Sequence, residues 1–268
     1  MNYYNENDPF AAEWLRQLIS QGHIPEGIVD ERDIQDVAPS ELEGFTQCHF
    51  FAGIGGWSYA LRLAGWPDSK PVWTGSCPCQ PFSQAGKGKG AADERHLWPA
   101  FHHLISIQRP GVVFGEQVAS KDGLAWLDLV QADLEGTGYA SAAVDICAAG
   151  IGAQHIRQRI WFVAERLGEP HSAGPQQGNK TSSPTGHRNT IEPTSGPAGS
   201  AGPTNGFWRD VDWLQCRDEK WRPVEPGTFP LAHGIPNRVG KLRGYGNAIV
   251  PQVAQAFIAA YNQALRKP

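Results

Sequence analysis

The sequence has little of what a secreted or membrane-embedded chain needs. Five cysteines among 268 residues is an odd and modest number. It argues against a disulfide-stapled scaffold and fits a reducing cytoplasm. No apolar run approaches the ~20 residues that cross a bilayer. Met1-Asn2-Tyr3-Tyr4-Asn5-Glu6 has neither a basic nor an apolar leader character, so no signal peptide is expected. The basic excess common in nucleic-acid binders is also missing, because the net charge is −4. That charge is unevenly spread. Residues 1–167 carry 12 Lys and Arg against 20 Asp and Glu, whereas residues 168–268 carry 11 against 7. The second part is therefore basic and suited to a polyanion, although two ordinary solvated surfaces would read the same. No internal repeat, coiled-coil heptad or Cys/His set with zinc spacing is present.

What is present suits a substantial core: 40% of residues are hydrophobic and ten are Trp. The length allows one large α/β domain with a small appendage. Pro71-Val72-Trp73-Thr74 reads as a buried strand, broken by the loop Gly75-Ser76-Cys77-Pro78-Cys79-Gln80-Pro81-Phe82-Ser83. A cysteine just past a strand end is where an α/β enzyme displays a nucleophile. Taken alone, Cys79 is more simply a small buried hydrophobe, and Cys77 with Cys79 could be half of a metal site.

Further strand and helix signals follow the same logic. Tyr3-Tyr4 is strand-prone and ends at Asn5-Glu6-Asn7-Asp8, and Pro9 opens a helix that Asp8 can cap and Gly22 stops. Gly27 to Ile34 reads as a second short strand with acids at its end, and Thr46 to Phe51 as a third. Phe51-Ala52-Gly53-Ile54-Gly55-Gly56 is a glycine loop opening a helix, a place where backbone approaches a ligand closely. Gly111 to Val118 is a buried strand carrying Glu116, which belongs in the crevice at the carboxyl edge of an open sheet. Tyr139 to Cys147 and Ile160 to Ala164 complete the strand set. Arg157 and Arg159, two apart, project to one side at the mouth of the last strand, with surface salt bridging as the plainer alternative. Lys87 and Lys89, among glycines after Cys79, suit phosphate contact or a plain linker. From Gly168 to Gly206, Gly, Pro, Ser and Thr dominate, as in a linker. Asp210 to Val224 reads as a hairpin with Arg217, Lys220, Arg222, Trp213 and Trp221 as a small basic-aromatic cluster.

Pro78-Cys79-Gln80-Pro81-Phe82-Ser83 resembles the catalytic loop of the DNA cytosine C5-methyltransferases. The glycine loop is similar to the family's first motif, around the methionine part of S-adenosylmethionine. Asn5-Glu6-Asn7-Asp8 is similar to its ribose-binding acid motif and Asp33-Ile34 to its adenine-binding motif. Glu116-Gln117-Val118 matches Glu-Asn-Val with one departure, and Arg157-Gln158-Arg159 matches Arg-x-Arg. Gly246-Asn247-Ala248-Ile249-Val250-Pro251 is similar to the last motif, before a C-terminal helix. Their order is unusual, since the ribose and adenine motifs precede the glycine loop. The family's second and third strands would then lie before its first, and right-handed crossovers permit this. The alternative is an acidic N-terminal extension with a degraded site, in which Asp68 is the nearest ribose ligand.

The resemblance implies an α/β fold, a mixed seven-strand sheet of the S-adenosylmethionine-dependent (Rossmann-like) kind with a small recognition region. It implies a catalytic domain from residues 1–167 plus 236–268, a linker at 168–206 and a target-recognition region at 207–235. The implied cofactor is S-adenosylmethionine and the implied partner double-stranded DNA, with no metal, no membrane, a monomeric state and a cytoplasmic, prokaryotic or phage setting. The catalytic residues would be Cys79, Glu116, Arg157 and Arg159. Cofactor contacts would come from Glu6, Asn7, Asp33, Ile34, Phe51, Gly53, Ile54, Gly55, Gly56, Pro78, Leu97, Asn247 and Ala248. DNA contacts would come from Gln80, Ser83, Lys87, Lys89, Arg217, Lys220 and Arg222. A methyltransferase of free pyrimidine nucleotides and a DNA-binding relic without cofactor are the competing readings.

Overall fold

The computed structural model describes residues 1–78, 97–153, 155–168, 212–215, 221–224 and 244–265. Its elements are β1 (Asn2–Asn5), α1 (Pro9–Ser20), β2 (Gly27–Asp30), β3 (Gln47–Phe50), α2 (Gly56–Leu63), β4 (Val72–Gly75) and α3 (Trp98–Gln108). Then follow β5 (Val112–Val118), α4 (Lys121–Gly136), β6 (Tyr139–Cys147), β7 (Gln158–Arg166), β8 (Asp212–Gln215), β9 (Trp221–Val224) and α5 (Pro251–Ala264). Seven strands form one sheet in the order β2-β1-β3-β4-β5-β7-β6. The first five are parallel to their neighbours, and β7 runs antiparallel between β5 and β6. The fold is therefore the expected mixed seven-strand α/β sheet.

The strands β1, β3 and β4 are buried along their whole length. That is why they read as continuous runs and not as alternations: a parallel sheet covered on both faces has no wet side. One face packs under α3 and α4 through Phe50, Trp73, Phe101, Trp126 and Phe162. On the other, Trp57, Phe114, Trp161, Val253 and Phe257 join the sheet to α2 and α5. Beneath α1, Leu15 packs with Tyr4, Ile24 and Ala52 in a smaller cluster.

Residues 2–5 lie inside the sheet, with β1 hydrogen-bonded to β2 on one side and β3 on the other. The connection from β2 to β3 steps over β1, as that from β5 to β6 steps over β7. The helix α1 starts where expected: the Asp8 carboxylate accepts from the amides of Phe10 and Ala11, and Pro9 occupies the first turn. The second strand is shorter than its composition suggests. It stops at Asp30, not Ile34. The Asn5 side-chain amide donates to the carbonyls of Asp30 (3.3 Å) and Arg32 (2.8 Å), bending the chain out of the ladder. Asp33 then caps a 3-10 turn, Ile34–Asp36, by accepting from Gln35 N at 2.9 Å.

The hairpin forms from β8 and β9, antiparallel, with Gln215 opposite Trp221. Most of the expected linker, and Arg217 and Lys220 in the expected recognition region, lie outside the described residues, as does the Arg222 side chain.

One buried polar row crosses the middle of the sheet. Tyr4, His49 and Thr74 are register partners on β1, β3 and β4. The His49 ring stacks on Tyr4, and its Nδ1 lies 2.8 Å from Thr74 Oγ1. Complete burial pushes the imidazole down to about 3. The folded protein thus holds His49 neutral, while the unfolded chain takes up a proton below its ordinary value near ~6.5. Stability from this group is full above that value and is lost as pH falls toward about 3. Denaturant unfolding at pH 7.5 and pH 5 should show a loss that is smaller by about 2 kcal/mol in His49→Asn than in the unaltered protein. Equal losses would mean that His49 is solvated in the native state.

Candidate active site

The carboxyl ends of the parallel strands converge on one cavity of about 440 Å³, within the size range of small-molecule sites. Residues far apart in the chain meet there. Glu6 and Asn7 come from the end of β1, and Asp33 and Ile34 from the turn after β2. Phe51, Gly53 and Ile54 come from the loop after β3, and Pro78 from the segment after β4. Glu116 comes from β5, Arg157 and Arg159 from the start of β7, Leu97 from the start of α3, and Asn247 from the C-terminal segment.

The glycine loop is held by an acid. Glu6 accepts from the amides of Gly53 (2.7 Å) and Asp8 (2.9 Å). The loop turns sharply: Phe51, Gly53 and Gly55 all have left-handed φ, at 50°, 56° and 82°. A left-handed phenylalanine is strained, and its ring is braced edge-on against Phe101. At Gly56 a Cβ would come within 2.7 Å of Ile249 Cγ1, so only glycine lets α2 start against the C-terminal segment. Gly55, Gly56 and Ala248 line an adjoining groove instead of the first cavity, and Ile54, Arg157 and Arg159 border both.

Glu116 is 7% exposed. Burial raises its pKa, and Arg159, Arg157 and a hydrogen bond from Ser76 oppose that rise. Arg159 Nε stands 2.8 Å from Oε1. The two arginines divide their work. Arg159 meets Glu116, whereas Arg157 donates to the carbonyls of Gly246 (3.1 Å) and Ala248 (2.7 Å). Arg157 thus clasps the C-terminal segment over the cavity. Gln117 is buried, and its amide donates to Cys77 O at 3.2 Å, tying β5 to the chain that leads to Cys79.

Cys79, Gln80, Ser83, Lys87 and Lys89 lie outside the described residues. Cys77 is buried in the core. Among the described residues no group of three metal-ligating side chains occurs, and no helix is long and apolar enough to cross a membrane. Sequence reasoning gave no site role to Ser76 or Arg32, which also line the cavity with Asp8 of the acid motif. Arg32 is anchored by Asp30 (2.7 Å) and Glu41 (3.2 Å). The signal for Ser76 was available, since it is the first residue beyond β4.

Comparison with known proteins gives three findings. Residues 67–198 match the family model described as C-5 cytosine-specific DNA methylase. The type II methyltransferase M.AplI of Arthrospira platensis is 32% identical over 124 residues, 42% of this chain and 35% of that protein. M.NlaX of Neisseria lactamica, also named a type II methyltransferase, is 29% identical over 140 residues, 49% of this chain and 44% of that protein. The matched part is thus less than half the length of either relative. Among solved structures, a mutant DNMT2 of Spodoptera frugiperda superposes with a TM-score of 0.43 at 16% identity, covering 65% of this chain and 45% of that one.

Replacing Arg157 tests its clasp. Each hydrogen bond from a charged donor contributes about 1.5–3 kcal/mol. Arg157→Ala should therefore lower the thermal midpoint and speed amide exchange at residues 246–249 at least tenfold. Unchanged exchange there would show that α5 alone holds the segment.

Proposed function

We propose that this chain, whose residues 67–198 match the C-5 cytosine-specific DNA methylase family model, methylates C5 of cytosine in double-stranded DNA with S-adenosylmethionine. The observation that best supports this reading is Glu116, buried and paired with Arg159 in the cavity that Glu6 and the glycine loop border.

The ligand fits the cavity's chemistry. Glu6 is assigned the ribose hydroxyls, because a carboxylate accepts from a diol, and Asp33 the adenine amino group. Phe51, Ile34, Leu97 and Pro78 supply apolar walls, with Gly53, Ile54 and Asn247 assigned the amino-acid end and Gly55, Gly56 and Ala248 backing it from the adjoining groove. These assignments make the motif order a permutation, with the ribose and adenine strands preceding the glycine-loop strand. The domain division is proposed as residues 1–167 plus 236–268 for catalysis and 207–235 for recognition, joined by 168–206.

Cys79 is assigned the nucleophile. As a thiolate it adds to C6, and the C5=C6 electron pair moves onto C5. A free thiol near ~8.5 is mostly protonated at pH 7, so the site must promote its ionisation. Glu116 is placed to hydrogen-bond N3 and the amino group of the base. Its raised affinity for a proton lets it share one with N3 as charge accumulates. Arg159 steadies that carboxyl and is assigned O2. S-adenosylmethionine, when bound, supplies the methyl group to C5. Loss of the C5 proton to solvent re-forms C5=C6 as the C6–S bond breaks, and Cys79 leaves as its thiolate. The base must leave the duplex, at a cost of a few kcal/mol. Gln80, Ser83, Lys87, Lys89 and the hairpin residues Arg217, Lys220 and Arg222 are assigned to DNA.

Cys79→Ser should abolish methyl transfer, while Cys77→Ser should retain it. DNA carrying 5-fluorocytosine should trap a covalent adduct in the presence of cofactor, and an unshifted protein mass would count against the mechanism. Glu6→Ala should raise the dissociation constant for S-adenosylmethionine at least about tenfold, since a charge-assisted bond contributes about 1.5–3 kcal/mol. DNA affinity without cofactor should barely change. Unaltered cofactor affinity would remove the ribose assignment and the permuted order with it.

A further inference from the structure

We propose that Ser76 is a positioning residue for Glu116, locked by the Trp57 indole into donating its hydroxyl to the Glu116 carboxylate. The proposal deepens the reading of Glu116 given above and rests on it for its catalytic meaning.

The sheet register brings the two residues together. Gly75 and Gly115 are partners on β4 and β5, so the next residues, Ser76 and Glu116, stand side by side at the same edge. Both line the cavity. The Trp57 indole N–H donates to Ser76 Oγ at 2.9 Å. That indole cannot swing away. It is 3% exposed, stacks on Phe114 at 6.1 Å and meets Trp161 edge-on at 5.3 Å.

Donor inventory decides the direction of the next bond. An indole N–H gives a proton and accepts none, whereas a serine hydroxyl has one proton and two lone pairs. With Trp57 on a lone pair, the Ser76 proton must point elsewhere. An ionised carboxylate only accepts, and Glu116 is the acceptor that the register sets beside Ser76 at the cavity edge. The bond runs one way, from Trp57 to Ser76 to Glu116. Fixed in this way, it sets the plane of the carboxylate and favours its ionised form.

The charged groups acting on Glu116 from β7 are Arg159 and Arg157. Glu6, Asp8, Arg32 and Asp33 border the same cavity from other elements. Arg159 reaches Glu116 through Nε, from β7. Ser76 stands beside it just past the end of β4, so the two flank the carboxylate from both neighbouring strands.

The test follows the Glu116 carboxyl carbon by NMR in the full-length protein labelled with carbon-13 glutamate, assigned with Glu116→Gln. In Ser76→Ala the titration midpoint should rise by about one pH unit, a roughly tenfold gain in proton affinity. Trp57→Phe, which keeps the ring but loses the N–H, should shift it in the same direction. Ser76→Thr should restore the original midpoint. The acid limb of kcat/KM for methyl transfer should move with the midpoint. An unshifted midpoint in Ser76→Ala, or a Thr variant that behaves like Ala, overturns the proposal. If the midpoint shifts as expected while the unaltered protein shows no methyl transfer to DNA, the positioning stands and the proposed function falls.

Discussion

Two neighbouring positions without side chains govern the catalytic edge. Gly75 and Gly115 face each other across β4 and β5, and a Cβ on either would run into an aromatic ring, Phe101 or Phe162. Their absence of bulk lets α3 and β7 close on the sheet at the point where its parallel strands end. Because strand side chains alternate, the residues that follow them turn toward the opposite face and into the cavity. Ser76 and Glu116 owe their adjacency to this register. The Trp57 indole and the Arg159 guanidinium meet them from either side. Slippage by one residue would send Glu116 into the aromatic core and leave its charge without a partner.

Much of this frame was legible in the chain. Buried parallel strands advertise themselves as apolar runs, which is why Val72-Trp73-Thr74 and Val112 to Val118 were recognisable. The Asp8-Pro9 helix start is local chemistry and needed no tertiary knowledge. The placement of Glu116 at a strand's carboxyl end followed from topology. The less accessible features depend on contacts across the sequence. Nothing local reveals that Asn5 clips the carbonyls of Asp30 and Arg32, which ends β2 early and leaves Asp33 in a turn. The two arginines looked equivalent from their spacing. Only the C-terminal segment, 89 and 91 residues further along, sets Arg157 to a different task. The position of Ser76 just past a strand end was legible, but its hydrogen bond from a tryptophan 19 residues earlier was not.

The sheet also shows how a fold carries polarity through its centre. Tyr4, His49 and Thr74 form a polar row on three adjacent strands, and the Tyr4 hydroxyl reaches Pro25 O at 2.8 Å and Ser58 Oγ at 3.2 Å. Apolar side chains would pack as well but would not specify which strand sits where. A buried hydroxyl that must find its acceptor penalises misregistered pairings. In a sheet whose second strand in the chain steps over the first to reach the third, this specificity bears on the most ambiguous pairing.

The Arg157 clasp has a consequence for the order in which the protein is made. On the ribosome, Arg157 emerges 89 residues before Gly246 and 91 before Ala248, the carbonyls it will hold. At ordinary rates of synthesis that interval is on the order of 5–20 s. Through it the sheet can pair and Glu116 can find Arg159, yet the segment that closes the cavity has not been translated. A ribosome that stalls between Arg166 and Gly246 leaves a product whose seven-strand sheet is complete and whose cavity is unclosed. The architecture thus couples closure of the site to synthesis of the segment that carries Gly246 and Ala248.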